Sequence, residues 1–257
     1  MTVLAVIASV LMVPAATDTL PEIGQSTAPI VLDAGYARDG LSGDRDDWEE
    51  MRVRATRVAG VRRSAFAEGR ASRRFGVTDV EGRTGIAVPV GAGSVVEVEA
   101  SASPGAVVLP GWSLGGHIQT ALGAGWSIGG GARHASYREG GATVTSTIIE
   151  RYFGDFRAAY RLSVGLLDGE RAPGHQLAAG WYRGDGSSLN GSVSLGREIE
   201  RSGADALLVT RASSVSFWGM QRITDRVGLT FGAGFHRLHD LHDRTSAQAG
   251  VRVRLER

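Results

Sequence analysis

The residues best equipped for chemistry in this chain are charged, and they recur inside segments that are otherwise apolar. Arg52, Arg54, Arg70, Arg73, Arg157 and Arg161, with Glu68, Glu97, Glu99, Glu150, Glu198 and Glu200, occupy stretches in which polar and apolar residues alternate. On extended backbone such alternation sends every second side chain to the same face. If that face encloses a narrow space, guanidinium and carboxylate groups must neutralise one another between neighbouring strands, because an unpaired charge in a poorly solvated interior is costly. The expected outcome is a lumen charge network that plugs the interior and holds the strands in register. The same charges could instead line a narrow channel for small polar or anionic solutes.

Two weaker constellations compete with that set. His236, His239 and His242 form a His-x-x-His-x-x-His run with Asp240 and Asp243 beside it. Imidazole and carboxylate are good zinc or copper ligands, so the three histidines are metal candidates, although histidines three apart are also common by chance in a solvated loop. A membrane-embedded lipid hydrolase would need a nucleophile, a base and an orienting group at one rim. His117 near Ser113 and His134 near Ser136 are the available pairs, and neither lies in a Gly-x-Ser-x-Gly elbow. The absence of cysteine excludes a disulfide framework, thiolate catalysis and cysteine metal sites. No phosphate-binding glycine loop or dinucleotide fingerprint stands in a strand-to-helix context, so no cofactor and no enzymatic activity is expected.

The elements that would position these charges are strands. From Ile30 onward, segments of about ten residues alternate apolar and polar and are separated by clusters of Gly, Asp, Ser and Pro, the pattern of an outer-membrane barrel. Phe156, Ala158, Tyr160, Leu162, Val164 and Leu166 share one face, with Arg157, Ala159, Arg161, Ser163 and Gly165 on the other. Val227, Leu229, Phe231, Ala233 and Phe235 divide in the same way from Gly228, Thr230, Gly232, Gly234 and His236. Apolar residues at 42% and charged residues at 21% suit this averaging of two faces, and the mature part has no run of eighteen apolar residues, which excludes a helical membrane protein. With 37 glycines against 7 prolines, the chain favours strands with tight turns over disorder. All basic residues are arginine, and a net charge of +1 gives no reason to invoke nucleic acid.

The expected fold is therefore all-β: a closed antiparallel transmembrane β-barrel of about fourteen strands, with twelve as the alternative. Tight breaks at Gly60, Val90 to Gly91, Gly123, Gly154 and Thr224 to Asp225 alternate with longer polar connections at 39–45, 104–110, 168–173 and 201–211, which puts short turns and both termini on one side. Trp48, Phe75, Trp112, Trp126, Tyr137, Tyr152, Phe153, Trp181, Tyr182, Phe217 and Trp218 lie near segment ends, where rings favour the membrane boundary and would form two girdles. Residues 3–13 are an apolar stretch followed by Pro14, Ala15 and Ala16, too short to span a bilayer and read as an export signal over residues 1–16. Residues 17–29 would be a short N-terminal segment and residues 30–257 the barrel domain. The chain ends Arg254, Leu255, Glu256, Arg257, without the terminal aromatic residue of many such barrels.

Several segments resemble the YaiO-like outer-membrane β-barrel family. The arginine-rich run from Arg70 ends in Arg74, Phe75 and Gly76 with Asp79 close behind; Tyr36 precedes a polar loop and Asp47-Trp48; Glu150, Arg151, Tyr152 and then Gly196, Arg197, Glu198, Ile199 and Glu200 follow in order. The resemblance extends from Ile30 to the C-terminus. It implies a bacterial outer-membrane location after export, contact with outer-membrane lipid and lipopolysaccharide, and insertion by the barrel-assembly machinery. It implies no established activity. Some relatives carry a helical repeat region before the barrel, and no such region fits in this chain. The expected role is structural or envelope-associated with a charged, occluded lumen; a narrow channel and a lipid hydrolase are the alternatives.

Overall fold

Alternation fixes each segment as a strand with one apolar and one polar face, and the only way to satisfy every backbone edge in lipid is to close the sheet on itself. The computed structural model describes residues 29–43, 45–60, 62–201, 207–239 and 241–255. The export signal read in residues 1–16 lies outside them. Among the described residues there are fourteen strands and no helix: β1 (Ile30–Leu41), β2 (Trp48–Val58), β3 (Ser64–Arg74), β4 (Val77–Val90), β5 (Ser94–Ala102), β6 (Trp112–Gly123), β7 (Trp126–Tyr137), β8 (Gly140–Phe153), β9 (Phe156–Leu167), β10 (Glu170–Tyr182), β11 (Ser188–Arg201), β12 (Leu207–Arg222), β13 (Val227–Leu238) and β14 (His242–Leu255). Each pairs antiparallel with its neighbours in sequence, and β14 pairs with β1 from Ile30↔Leu255 to Leu41↔Arg244, closing the barrel.

The two faces follow the expected parity. On β9, Phe156, Ala158, Tyr160 and Leu162 are exposed on the outer surface, while Arg157, Ala159, Arg161 and Ser163 are buried or half-buried on the lumen side. Outward aliphatic and aromatic side chains such as Met51, Val80, Leu177, Val193 and Phe217 form the belt that meets lipid. Trp126, Phe153, Phe156 and Trp181 cluster outward near the mouth that carries the termini, hereafter the terminal mouth. The expected second girdle, at the distal mouth, is thinner because Trp48 and Tyr137 turn inward, as Tyr182 and Trp218 do toward the terminal mouth: each stands on the lumen parity of its strand, and Trp48 is only 2% exposed.

Connections are short at both ends. At the distal mouth, opposite the termini, Phe75–Gly76 and Asp168–Gly169 are two-residue turns with positive φ at both positions, the geometry that matches strand twist. The polar stretch 168–173 is thus not a long loop; Asp-Gly makes the turn and β10 resumes at Glu170. Likewise β12 begins at Leu207, so most of the expected 201–211 connection is strand or lies outside the described residues. The longest connection is 103–111. At the terminal mouth the Ser187 amide donates to Asp185 Oδ1 at 2.8 Å and holds that carboxyl below its usual range.

One packing detail is directly testable. The Phe66 ring lies across Gly85 of the adjacent strand, and the Arg54 guanidinium sits 3.7 Å over the same ring. A Cβ at Gly85 would overlap the ring. Gly85→Ala is expected to destabilise the barrel by about 1–3 kcal/mol through forced displacement of Phe66, read as a lower urea midpoint for unfolding from lipid vesicles.

Candidate functional site

Lumen charges come together much as strand parity dictates. On the side built by β2 to β7, Arg54 lies 3.8 Å from Glu68, and Arg70 bridges Glu50 at 3.4 Å and Glu81 at 2.8 Å. Glu99 receives Arg83 and, at 2.9 Å, Arg133, whose other nitrogen donates to Ser113 Oγ at 2.8 Å. Nearer the terminal mouth, Glu150 accepts from Arg157 at 2.6 Å, from Ser127 at 2.9 Å and from Gln119, tying four consecutive strands together. At the closing seam Arg252 donates to Asp33 at 2.7 Å. Arg52 lies over Gly35, Glu97 shares the inner face of β5 with Glu99, and Arg161 lines a lumen cavity with Ser163. These pairs join strands one or two apart along the wall.

Arg73 departs from the expected set. It lies on the outward parity of β3, between inward Ser72 and Arg74, and is exposed. Its register partner Glu49 bonds outward as well, accepting from Tyr36 Oη at 3.1 Å. Arg73 therefore belongs to the outer rim, because a run of adjacent arginines must send alternate members to opposite faces. Glu81, Arg83 and Arg133 are lumen residues that the initial set omitted, although the same alternation marks them.

Two structures fold inward at the distal mouth. The first is loop 103–111. Asp79, on the inner face of β4, accepts the backbone N–H groups of Val107 (3.0 Å), Val108 (2.7 Å) and Leu109 (2.8 Å), while Ser103 donates to the Val80 carbonyl. Three successive amides on one carboxylate form a strong, charge-assisted anchor, and Leu109 and Pro110 are buried beneath it. Beside this loop Trp48 is enclosed: Phe75 meets it edge-on at 5.3 Å, and the guanidinium groups of Arg74 and Arg244 lie 4.8 and 5.4 Å over its ring. Arg74, Phe75 and Asp79, separate in role, thus converge on one mouth.

The second is formed by residues 197–201 of β11 and 207–211 of β12. β11 pairs with β10 only up to Gly174↔Gly196, and β12 pairs with β13 only up to Ala212↔Leu238. Pro173, without an N–H, occupies the position where the β10 ladder stops. Beyond these points residues 197–201 pair only with 207–211. Ile199, Leu207 and Val209 would face lipid if these strands continued the wall. Instead Ile199, 1% exposed, packs with Ala142, Leu167 and Ala172, which are inward residues of β8, β9 and β10, and Leu207, Val209 and Tyr137 join them. The strand ends have therefore folded into the mouth. Their opposite face presents Glu198, Glu200 and Thr210: Glu198 lies 3.3 Å from His236 Nε2, and Thr210 donates to the His239 carbonyl at 2.6 Å.

The histidine run does not assemble a metal site. His236 faces the lumen against Glu198, His239 is exposed in the turn, and His242 lies against Trp48 at 6.4 Å. Among the described residues no group of three metal-binding side chains converges. The cause is the turn inside the run: His236 stands near the end of β13, His239 lies in the turn and His242 opens β14, where it packs toward Trp48. Nor do the hydrolase pairs form. Ser113 Oγ bonds Ser101 and Arg133, and His134 faces outward with Nδ1 on Thr143 at 2.9 Å.

Residues 31–198 match the family model of the YaiO membrane beta barrel domain. No curated protein sequence matches the chain. Among solved structures, the fold is similar to the "CymD monoaromatic hydrocarbon channel" (TM-score 0.63, 10% identity, covering 91% of this chain and 90% of that one). It is also similar to a "bacterial polysaccharide outer membrane secretin" (TM-score 0.59, 10% identity, 91% and 100% covered). A third is the translocator domain of the autotransporter NalP from Neisseria meningitidis (TM-score 0.53, 12% identity, 94% and 92% covered). At these identities the likeness concerns the barrel fold alone.

Proposed function

Since the chain belongs to the YaiO membrane β-barrel family, we propose that it serves in the bacterial outer membrane as a non-enzymatic barrel whose lumen is closed at rest, in a structural or envelope-associated role. What supports this reading is the pair of structures that fold inward at the distal mouth and would act as its covers: loop 103–111 on Asp79 and the strand ends seated through the buried Ile199. A barrel of this strand number is wider than those that side chains alone can fill. Charge pairs along the wall stiffen it, and closure falls to the covers. In this reading the N-terminal signal directs export, the barrel-assembly machinery inserts the chain with its termini toward the periplasm, and the outer belt contacts lipid and lipopolysaccharide.

The test has two parts. A heat-modifiable band on SDS-PAGE, with the protein in the outer-membrane fraction, is the expected result for the closed barrel in its membrane. Reconstituted in planar bilayers, the wild-type chain is expected to conduct far less than an open porin. Steady, ohmic, porin-sized current from the wild-type protein would overturn the closed reading.

A further inference from the structure

The lumen is divided lengthwise. Charged side chains crowd the wall from β14 through β1 to β5 and from β7 to β9. Below the folded-in strand ends, the inner faces of β10 to β13 carry small or uncharged residues instead, Gly174, Gln176, Ser192, Ser194, Ser214 and Ser216 among them, down to Arg222, which is paired with Asp225 at the terminal rim. Short side chains leave open volume on that side, and a cavity there is lined by Gln176, Ser194 and Ser214, with Arg161 on one flank and Arg197, Glu198 and His236 where the strand ends meet it. Hydroxyl and amide groups both donate and accept hydrogen bonds, so they can replace the hydration of an uncharged polar molecule without demanding a counter-charge. The strand ends 197–201 and 207–211 stand directly above this wall and belong to the same two strands.

These ends differ in kind from the other cover. Loop 103–111 is held by a carboxylate on three amides. The strand ends have no ladder to β10, are seated through Ile199 on an apolar patch, and are held on the β13 side by hydrogen bonds from Thr210 and to the Arg211 carbonyl at the turn residue His239. One edge is thus anchored and the other rests on contacts without direction. We infer that the inward-folded ends of β11 and β12 are a displaceable gate, and that the passage beneath them along β10 to β13 admits small uncharged polar solutes. This rests on the closed resting state proposed above. Lifting Ile199 from Ala142, Leu167 and Ala172 opens the mouth above β10 to β13, carries Glu198 and Glu200 with it, and leaves the ion pairs of β2 to β9 in place.

The absence of cysteine makes the test clean. One variant carries Ile199→Ser, Leu207→Ser and Val209→Ser; a second carries Ile199→Cys with Ala172→Cys, closed by oxidation or a short thiol crosslinker. Both are checked for the heat-modifiable band, then reconstituted in liposomes for swelling in a neutral sugar and in a charged solute of similar size. The serine variant is expected to raise sugar flux by roughly tenfold or more, the population shift that follows from losing the burial of a large aliphatic anchor. The crosslinked variant is expected to stay impermeable and to recover the wild-type rate on reduction. A folded serine variant with unchanged flux overturns the gate while leaving the closed resting state standing. Constant flux through wild type that crosslinking does not alter overturns the closed state itself. Flux that favours the charged solute overturns the assignment to uncharged solutes.

Discussion

Replacing Glu150 by alanine is expected to cost the folded barrel about 3–5 kcal/mol, the usual consequence of removing one partner from a buried ion pair. Glu150 is nearly inaccessible, with its side chain 4% exposed, and the Arg157 side chain is 12% exposed. The substitution strands the Arg157 guanidinium in a sheltered lumen and removes the common acceptor of Ser127 and Gln119. The loss should appear as a lower denaturant midpoint for unfolding from vesicles and as conversion of the heat-modifiable band at a lower temperature. Combining Glu150→Ala with Arg157→Ala should recover part of the loss, because the second change removes the orphaned charge. A single variant as stable as wild type would show that lumen water solvates Arg157 well enough to make the network dispensable.

The Asp79→Ala variant should behave in the opposite manner, with a large local effect and a small global one. Its carboxylate supplies the acceptors for three successive amides of loop 103–111, and hydrogen bonds to a charged group contribute about 1.5–3 kcal/mol each. Losing them should raise amide hydrogen exchange at Val107, Val108 and Leu109 by roughly 100-fold or more, since about 1.4 kcal/mol corresponds to a factor of ten. The barrel midpoint should move little, because the loop lies outside the closed ladder of strand pairs. Asp79→Asn, which keeps one acceptor oxygen, should fall between. Unchanged exchange at the three amides would mean that the buried Leu109 and Pro110, not the carboxylate, hold the loop.

Much of this architecture was legible before any coordinates. Period-two alternation marks strands because side chains on extended backbone must alternate faces, and it sorted Arg157 and Arg161 from Tyr160 and Leu162 correctly. The strand number and closure followed, since an open edge is untenable in lipid. The same rule, applied strictly, moves Arg73 to the outer rim and adds Glu81, Arg83 and Arg133 to the lumen, whereas His236, His239 and His242 are divided by the turn between β13 and β14. Those misreadings treated nearness in sequence as nearness in space. The family-like run Arg74, Phe75, Gly76 and Asp79 was likewise visible as a pattern, but its work was not: Asp79 acts on amides of residues 107 to 109, and nothing in the local sequence names that partner.

The amino-acid sequence by itself determined the barrel, the parity of its faces and the charged character of its lumen, because these depend on backbone geometry repeated residue by residue. Only the tertiary structure decided what folds inward at the distal mouth. Ile199, Leu207 and Val209 carry the signature of lipid-facing residues, and they turn inside, Ile199 buried and the other two half-buried, because β11 and β12 part from β10 and β13 above Gly196 and Ala212. Where a strand leaves its neighbours, local alternation no longer says which side is out; that is set by contacts between residues far apart in the chain.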